Sequence, residues 1–199
     1  MNILVILGHP NPDSLNAGIA QVVCESLAQA GHEVIYHDLC AEGFDPALPS
    51  GEEGRGAALP PQVAEHVREL TQADGIVVIH PNWWGKPPAV LCGWVDRVFR
   101  VGEAYEFVGE DGGEGVPKGL LKATTAVVLN TSNTYPDREA EAFGDPLERF
   151  WKDCVFGLCG VEDVRRRTFS VVCVSTPEQR EAWLDEARAL VLGAFGQVE

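Results

Sequence analysis

Short apolar runs, recurring at intervals that leave room for a helix between them, constrain this chain more than any other feature. Residues 2–7, 76–80 and 124–130 are apolar almost throughout, without the in–out alternation of a half-exposed strand. Such strands are buried on both faces, as in a parallel sheet covered by helices. Between them apolar residues fall at helical spacing, first Ile19, Val22, Val23 and Leu27, later Val63, Val67 and Leu70. Ser14 or Asn16 can cap the first helix and Gly31 ends it. Residues 33–38 alternate as a half-exposed second strand, and 168–174 read as the fifth. Helices are expected over 89–99 and 139–158, the second carrying Phe143, Leu147, Phe150 and Val155, and Pro177 opens a last one. This pattern predicts an α/β fold: a doubly wound three-layer sandwich with a five-stranded parallel sheet in order 2-1-3-4-5, forming a single domain over 1–199.

Composition narrows the function classes. With 199 residues, 45% of them hydrophobic, the chain can bury one substantial core. A formal net charge of −15 disfavours nucleic acid, since counterion release needs an excess of Lys and Arg. The one basic run, Arg165-Arg166-Arg167, reads as a solvated strand entry. Apolar runs fall well short of the roughly 20 residues that cross a bilayer, and the amino-terminal run lacks a basic leader, so a cytoplasmic protein without membrane insertion is expected. The six cysteines show no C-x-x-C pairing and no His at metal spacing, so they read as reduced, mostly core residues, with no metal site. Residues 41–61 form a long irregular stretch, functional or mobile, and 109–115 a flexible tip between two short segments.

The chemistry lies at strand ends. His80-Pro81-Asn82-Trp83-Trp84-Gly85-Lys86-Pro87-Pro88 follows the third strand. In open parallel sheets ligands settle beyond the carboxyl ends of the strands. Two indoles there suit a flat aromatic ligand, although paired tryptophans also read as core packing. The first strand exits into residues 8–16, where His9, Ser14, Leu15 and Asn16 meet a helix amino terminus that favours phosphate. That loop by itself reads equally as a capped polar turn. It lacks both G-x-G-x-x-G and G-x-x-x-x-G-K-[ST], which disfavours an ordinary dinucleotide fold and a P-loop. The fourth exit, Thr131, Ser132 and Asn133, faces the same edge.

These stretches, together with Phe44-Asp45-Pro46, the run from Trp83 to Phe99, Ala104-Tyr105-Glu106-Phe107 and Cys159-Gly160, resemble the flavodoxin-like NAD(P)H:quinone oxidoreductases over residues 1–174 or so. The resemblance implies an NAD(P)H dehydrogenase (quinone)-type flavoenzyme that takes a hydride from NAD(P)H to flavin N5 and then passes it to a quinone, nitroaromatic or azo acceptor, in two steps through one pocket. Residue by residue it implies that His9, Ser14, Leu15 and Asn16 hold the phosphate. Pro81, Asn82, Trp83, Trp84 and Gly85 line the ring, and Thr131, Ser132 and Asn133 face its other edge. Tyr105 and Phe107 then cap the substrate pocket beside Trp83, contributed by the partner in a homodimer with shared sites. Tyr135 assists at the pyrimidine end, where the larger relatives' His is replaced by Phe143. FAD is the implied cofactor, with Asn16 and Arg180 near its adenosine; FMN is the alternative. Two other roles remain open: a flavodoxin-like electron carrier, and an ancillary regulatory subunit of a glutathione-gated potassium efflux system, docked peripherally on the transporter.

Overall fold

The computed structural model describes residues 1–109 and 115–196. Along the chain run β1 (Asn2–Leu7), α1 (Leu15–Gln29), β2 (Glu33–Asp38), α2 (Pro61–Gln72), β3 (Gly75–Pro81), α3 (Ala89–Val98), β4 (Tyr105–Val108), β5 (Val116–Gly119), β6 (Thr125–Ser132) and α4 (Pro136–Phe143). A short α5 (Pro146–Glu148) then runs into π-helical turns, Arg149–Gly157, followed by β7 (Asp163–Ser170), a 3-10 turn and α6 (Pro177–Phe195). Five strands form one parallel sheet, β2-β1-β3-β6-β7.

The central strands are apolar on both faces because helices cover both. Leu4, Ile6, Ile76, Val78, Ala126 and Val128 pack with α2, α3 and the π-helical turns. Their alternates Ile3, Val5, Leu7, Val77, Ile79, Val127 and Leu129 pack with α1 and α6. This is the burial that the unbroken apolar runs require.

The expected order 2-1-3-4-5 differs from the observed numbering because β4 and β5 intervene as a separate antiparallel hairpin. Residues 110–114 of the expected tip lie outside the described residues. The fifth sheet strand also begins earlier than expected, at Asp163, so Arg165, Arg166 and Arg167 lie within it. They suit a sheet edge because carboxylates flank them: Asp163 pairs with Arg165, Asp145 and Glu148 with Arg166, and Glu186 with Arg167. The single helix expected over 139–158 is broken. Gly144 (φ 70°) caps α4 in the left-handed conformation, Asp145 follows at φ 45°, and Pro146 starts the next helix without an N–H to extend the last. Cysteines are mostly not core: Cys159 is buried, Cys154 and Cys173 are exposed, and all six thiols are free.

The irregular stretch ahead of α2 is anchored. Arg97 of α3 forms a two-pronged pair with Glu52 (2.6 and 3.0 Å) and bonds the Asp45 carbonyl (2.7 Å), its guanidinium lying 5.7 Å from the centre of the Phe44 ring. Arg100 bonds the carbonyls of Glu52 and Gly54. This strap presses so closely on α3 that a Cβ on Gly93 would meet the Pro46 carbonyl oxygen at 2.1 Å and its Cα at 2.5 Å. Gly93→Ala is therefore expected to destabilise the protein by about 1–3 kcal/mol, read as a lowered urea midpoint, despite alanine's better helix propensity.

Candidate functional site

The carboxyl ends of β1, β3 and β6 are neighbours, with Leu7 beside Ile79 and Pro81 beside Thr131. Their exit loops enclose a cavity of about 860 Å³, within the range of small-molecule sites. His9, Ser14, Leu15 and Asn16 line it from the first loop, Pro81 through Gly85 from the second, and Thr131, Ser132 and Asn133 from the third.

At the first loop Ser14 caps α1, its Oγ accepting from the Ala17 N–H at 3.2 Å. The N–H groups of Leu15 and Asn16 find no acceptor among the described residues, as is normal for a helix start. His9 Nδ1 lies 3.0 Å from the Asn11 nitrogen and 3.2 Å from the Asn11 carbonyl oxygen, so either neutral tautomer finds a partner there, and its ring lies 6.0 Å from that of Trp83. Burial lowers the His9 pKa against smaller opposing pulls from Asn11 and Asp38, so the ring is neutral near pH 7. Asn16 is 3% exposed and donates from Nδ2 to Thr131 Oγ1 (2.9 Å), joining the first and third loops. Its Oδ1 is buried without a partner.

The second loop is a two-residue hairpin. Trp83 and Lys86 exchange both backbone hydrogen bonds (3.0 and 3.2 Å), while Trp84 (φ 60°) and Gly85 (φ 71°) occupy the turn in left-handed conformations. Such a turn normally takes Asn-Gly; a tryptophan there is strained and, at 97% exposure, fully presented to solvent. The Asn82 N–H donates to the Thr131 carbonyl (2.7 Å), and Asn82 Oδ1 accepts the Gly85 N–H (3.0 Å). In the third loop Ser132 Oγ accepts the Thr134 N–H (3.0 Å) and Asn133 Oδ1 the Cys173 N–H (2.9 Å).

Three named residues lie elsewhere. Tyr105 is on β4 and lines a separate cleft of about 240 Å³ with Asp96, Phe99 and Cys159. Phe107, its ring 5.7 Å from that of Tyr105, is half exposed. Tyr135 is 64% exposed and does not line the cavity. Phe143 does, with Glu139 one turn earlier on α4; Asn11, Thr134, Pro146 and Val172 complete the wall. The helix expected over 139–158 already set Glu139 and Phe143 at i, i+4, so the spacing was the signal that could have found Glu139. Glu139 is the one carboxylate of the wall, which holds no Lys or Arg among the described residues.

Among the described residues, His37, Glu42 and His66 bring potential metal-ligand atoms within 4.8 Å of one another, a grouping that sequence spacing did not show. Their nitrogens are engaged. His37 lies against Glu42 (2.8 Å) and Glu69 (2.6 Å), and Trp94 Nε1–H donates to His66 Nδ1 (3.0 Å), leaving the proton on Nε2 toward Glu42.

Comparison with known proteins places the chain. The Flavodoxin_2 family, described as a flavodoxin-like fold, matches residues 1–192. An uncharacterized NAD(P)H oxidoreductase of Haemophilus influenzae is 31% identical over 195 residues, covering 94% of this chain and 92% of that protein. The chain belongs to the flavodoxin-like NAD(P)H:quinone oxidoreductase family. It is an oxidoreductase. The rat ribosyldihydronicotinamide dehydrogenase [quinone] is 28% identical, covering 92% of this chain and 87% of that one. The structure of an NAD(P)H:quinone oxidoreductase from Methanothermobacter marburgensis superimposes with a TM-score of 0.80 at 27% identity, covering 96% of this chain and 95% of that one. An FMN-dependent NADH-azoreductase from Bacillus anthracis, 17% identical with a TM-score of 0.75, shares the fold. No helix among the described residues is long and apolar enough to cross a membrane.

Proposed function

We propose that the chain is a flavin-dependent NAD(P)H oxidoreductase acting on quinone-type acceptors, with the flavin in the cavity between the His9, Trp83 and Thr131 loops. The observation that carries the flavin is Asn16. A buried amide oxygen without a partner, beside the open N–H groups of a helix start, is a place where a ligand supplies the missing bond. With the amide turned over, the Thr131 hydroxyl donates to Oδ1 and Nδ2 is free to donate to a phosphate or ribityl oxygen. His9 offers a neutral ring to the same end of the site. A flavin held there would supply the hydride-transfer chemistry between NAD(P)H and the acceptor. The protein's residues bind and orient. Trp83, Trp84 and Phe143 offer flat apolar surface, Thr131 and Ser132 offer hydroxyls, and Tyr135 and Tyr105 are the proton-bearing groups that the family resemblance assigns to the reacting end.

Tyr105 and Phe107 do not reach the cavity within one chain, which supports a homodimer in which the β4–β5 hairpin of the partner closes the pocket. Exposed Phe107, Val108 and Val116 on that hairpin give it an apolar surface to bury. FAD is the expected flavin and FMN the alternative. Arg180, invoked for adenosine, is bonded to Ser175 Oγ (2.8 Å) and is not part of the wall, so no residue of the wall favours FAD over FMN. A cavity with one carboxylate and no Lys or Arg among the described residues favours neutral acceptors over acidic ones.

Flavin-loaded protein is expected to oxidise NADH or NADPH when menadione is added. Asn16→Leu should weaken flavin binding about tenfold or more by removing a buried donor. A loaded preparation that consumes neither nucleotide overturns the activity, and wild-type affinity in the variant overturns the role of Asn16.

A further inference from the structure

His80 and Trp151 lie behind the Trp83–Trp84 hairpin, outside the cavity wall, yet hydrogen bonds connect them to it. His80, near the end of β3, is 0% exposed, as is Trp151 in the π-helical turns. His80 Nε2 lies 2.9 Å from Trp151 Nε1, and His80 Nδ1 lies 2.9 Å from the Pro81 carbonyl oxygen. An indole nitrogen only donates. Nε2 of His80 therefore accepts, the ring proton sits on Nδ1, and Nδ1–H donates to Pro81. Partner chemistry sets the tautomer. Burial, aided by the nearby Arg166 cation and opposed by the Pro81 bond, keeps the ring neutral, as this arrangement requires.

The bonds continue outward. The Pro81–Asn82 peptide is held at both ends, its carbonyl by His80 and its N–H by the Thr131 carbonyl (2.7 Å). Asn82 then holds the Gly85 N–H (3.0 Å), closing the turn that carries Trp83 and Trp84. A strained tryptophan turn stays in one conformation only if its surroundings over-determine it, and this chain of bonds from core indole to turn does so.

We propose that His80 is a positioning residue, anchored on Nε2 by Trp151: it fixes the plane of the Pro81–Asn82 peptide and so the aim of the Asn82–Gly85 turn at the bound flavin. The second clause rests on the flavin reading above; the first does not. Supporting side chains of this kind hold a binding site in its productive geometry, so their loss is read in affinity and spectra.

Three variants separate this from a packing role. His80→Phe keeps the ring's bulk and removes both bonds. His80→Asn restores a donor where Nδ1 stood. Trp151→Phe removes the donor that holds Nε2. In flavin-free protein, His80→Phe should speed amide hydrogen exchange at Asn82 and Gly85 by about tenfold or more while leaving α6 unchanged, and His80→Asn should restore slow exchange. Flavin Kd should rise about tenfold in His80→Phe, with a shifted visible band, and stay within about threefold of wild type in His80→Asn. If His80→Phe does not fold, Trp151→Phe carries the test: the Pro81 carbonyl still keeps the ring proton on Nδ1, but Nε2 loses its donor, so the Nε2 chemical shift of His80 should move and Asn82 exchange should accelerate. Folded variants with wild-type exchange at Asn82 and Gly85 overturn the positioning role. A wild-type protein that binds no flavin overturns the flavin reading instead, and amide exchange still decides the positioning.

Discussion

Arg97→Met should cost the fold about 3–5 kcal/mol, because it leaves the Glu52 carboxylate buried without its partner. Arg97 is 4% exposed and Glu52 5%, and their pairing is two-pronged. The arginine also bonds the Asp45 carbonyl, so its loss frees the strap between β2 and α2 at two points. Urea unfolding should show a much lower midpoint, and limited proteolysis should cut first within that strap. Arg97→Met with Glu52→Leu should recover most of the loss, since a buried ion pair contributes little beyond what matched apolar groups would. A single variant that loses less than about 1 kcal/mol would show that the strap does not depend on this pair.

Stability should also fall steeply on mild acidification. Burial lowers the His80 pKa to about 4, from an ordinary value of 6.5. Above pH 6.5 the group is neutral in both states and contributes nothing to the pH dependence. Between 6.5 and about 4 the unfolded chain takes a proton that the folded protein refuses, so stability drops as pH falls, by about 1.4 kcal/mol per pH unit, and levels off below. His66, lowered to about 4 by burial and by His37 beside it, acts in the same direction. Urea midpoints measured across that range check this, and His80→Phe should flatten part of the slope. A wild-type profile that is flat from about pH 7 to 4.5 would show that both rings take up protons in the folded state.

Much of this architecture is legible in sequence because its signals are local. Unbroken apolar strands, the Ser14 cap and Pro177 each depend on near neighbours, and the twelve residues named for three strand exits line one cavity. What sequence reading misplaces depends on distant partners. Arg165 to Arg167 look like a strand entry until Asp145, Glu148, Asp163 and Glu186 appear beside them. The Gly144-Asp145 break falls within a pattern whose apolar spacing continues across it. Glu52 gives no hint in an acidic, Gly-rich stretch that it is buried against an arginine 45 residues away. His80 reads as one more strand residue until Trp151, 71 positions later, is found on its ring. Tyr105, Phe107 and Tyr135 were named from family resemblance, and a single chain does not bring them to the cavity.

The most direct test of the flavin site is a titration of the purified, flavin-free chain with FAD and with FMN, followed by absorbance and by quenching of flavin fluorescence. Saturable binding of one flavin per chain is expected, with a perturbed visible band from stacking on indole. Asn16→Leu should bind more weakly. Absence of saturable binding for both flavins by a folded protein would contradict a flavin site in this cavity.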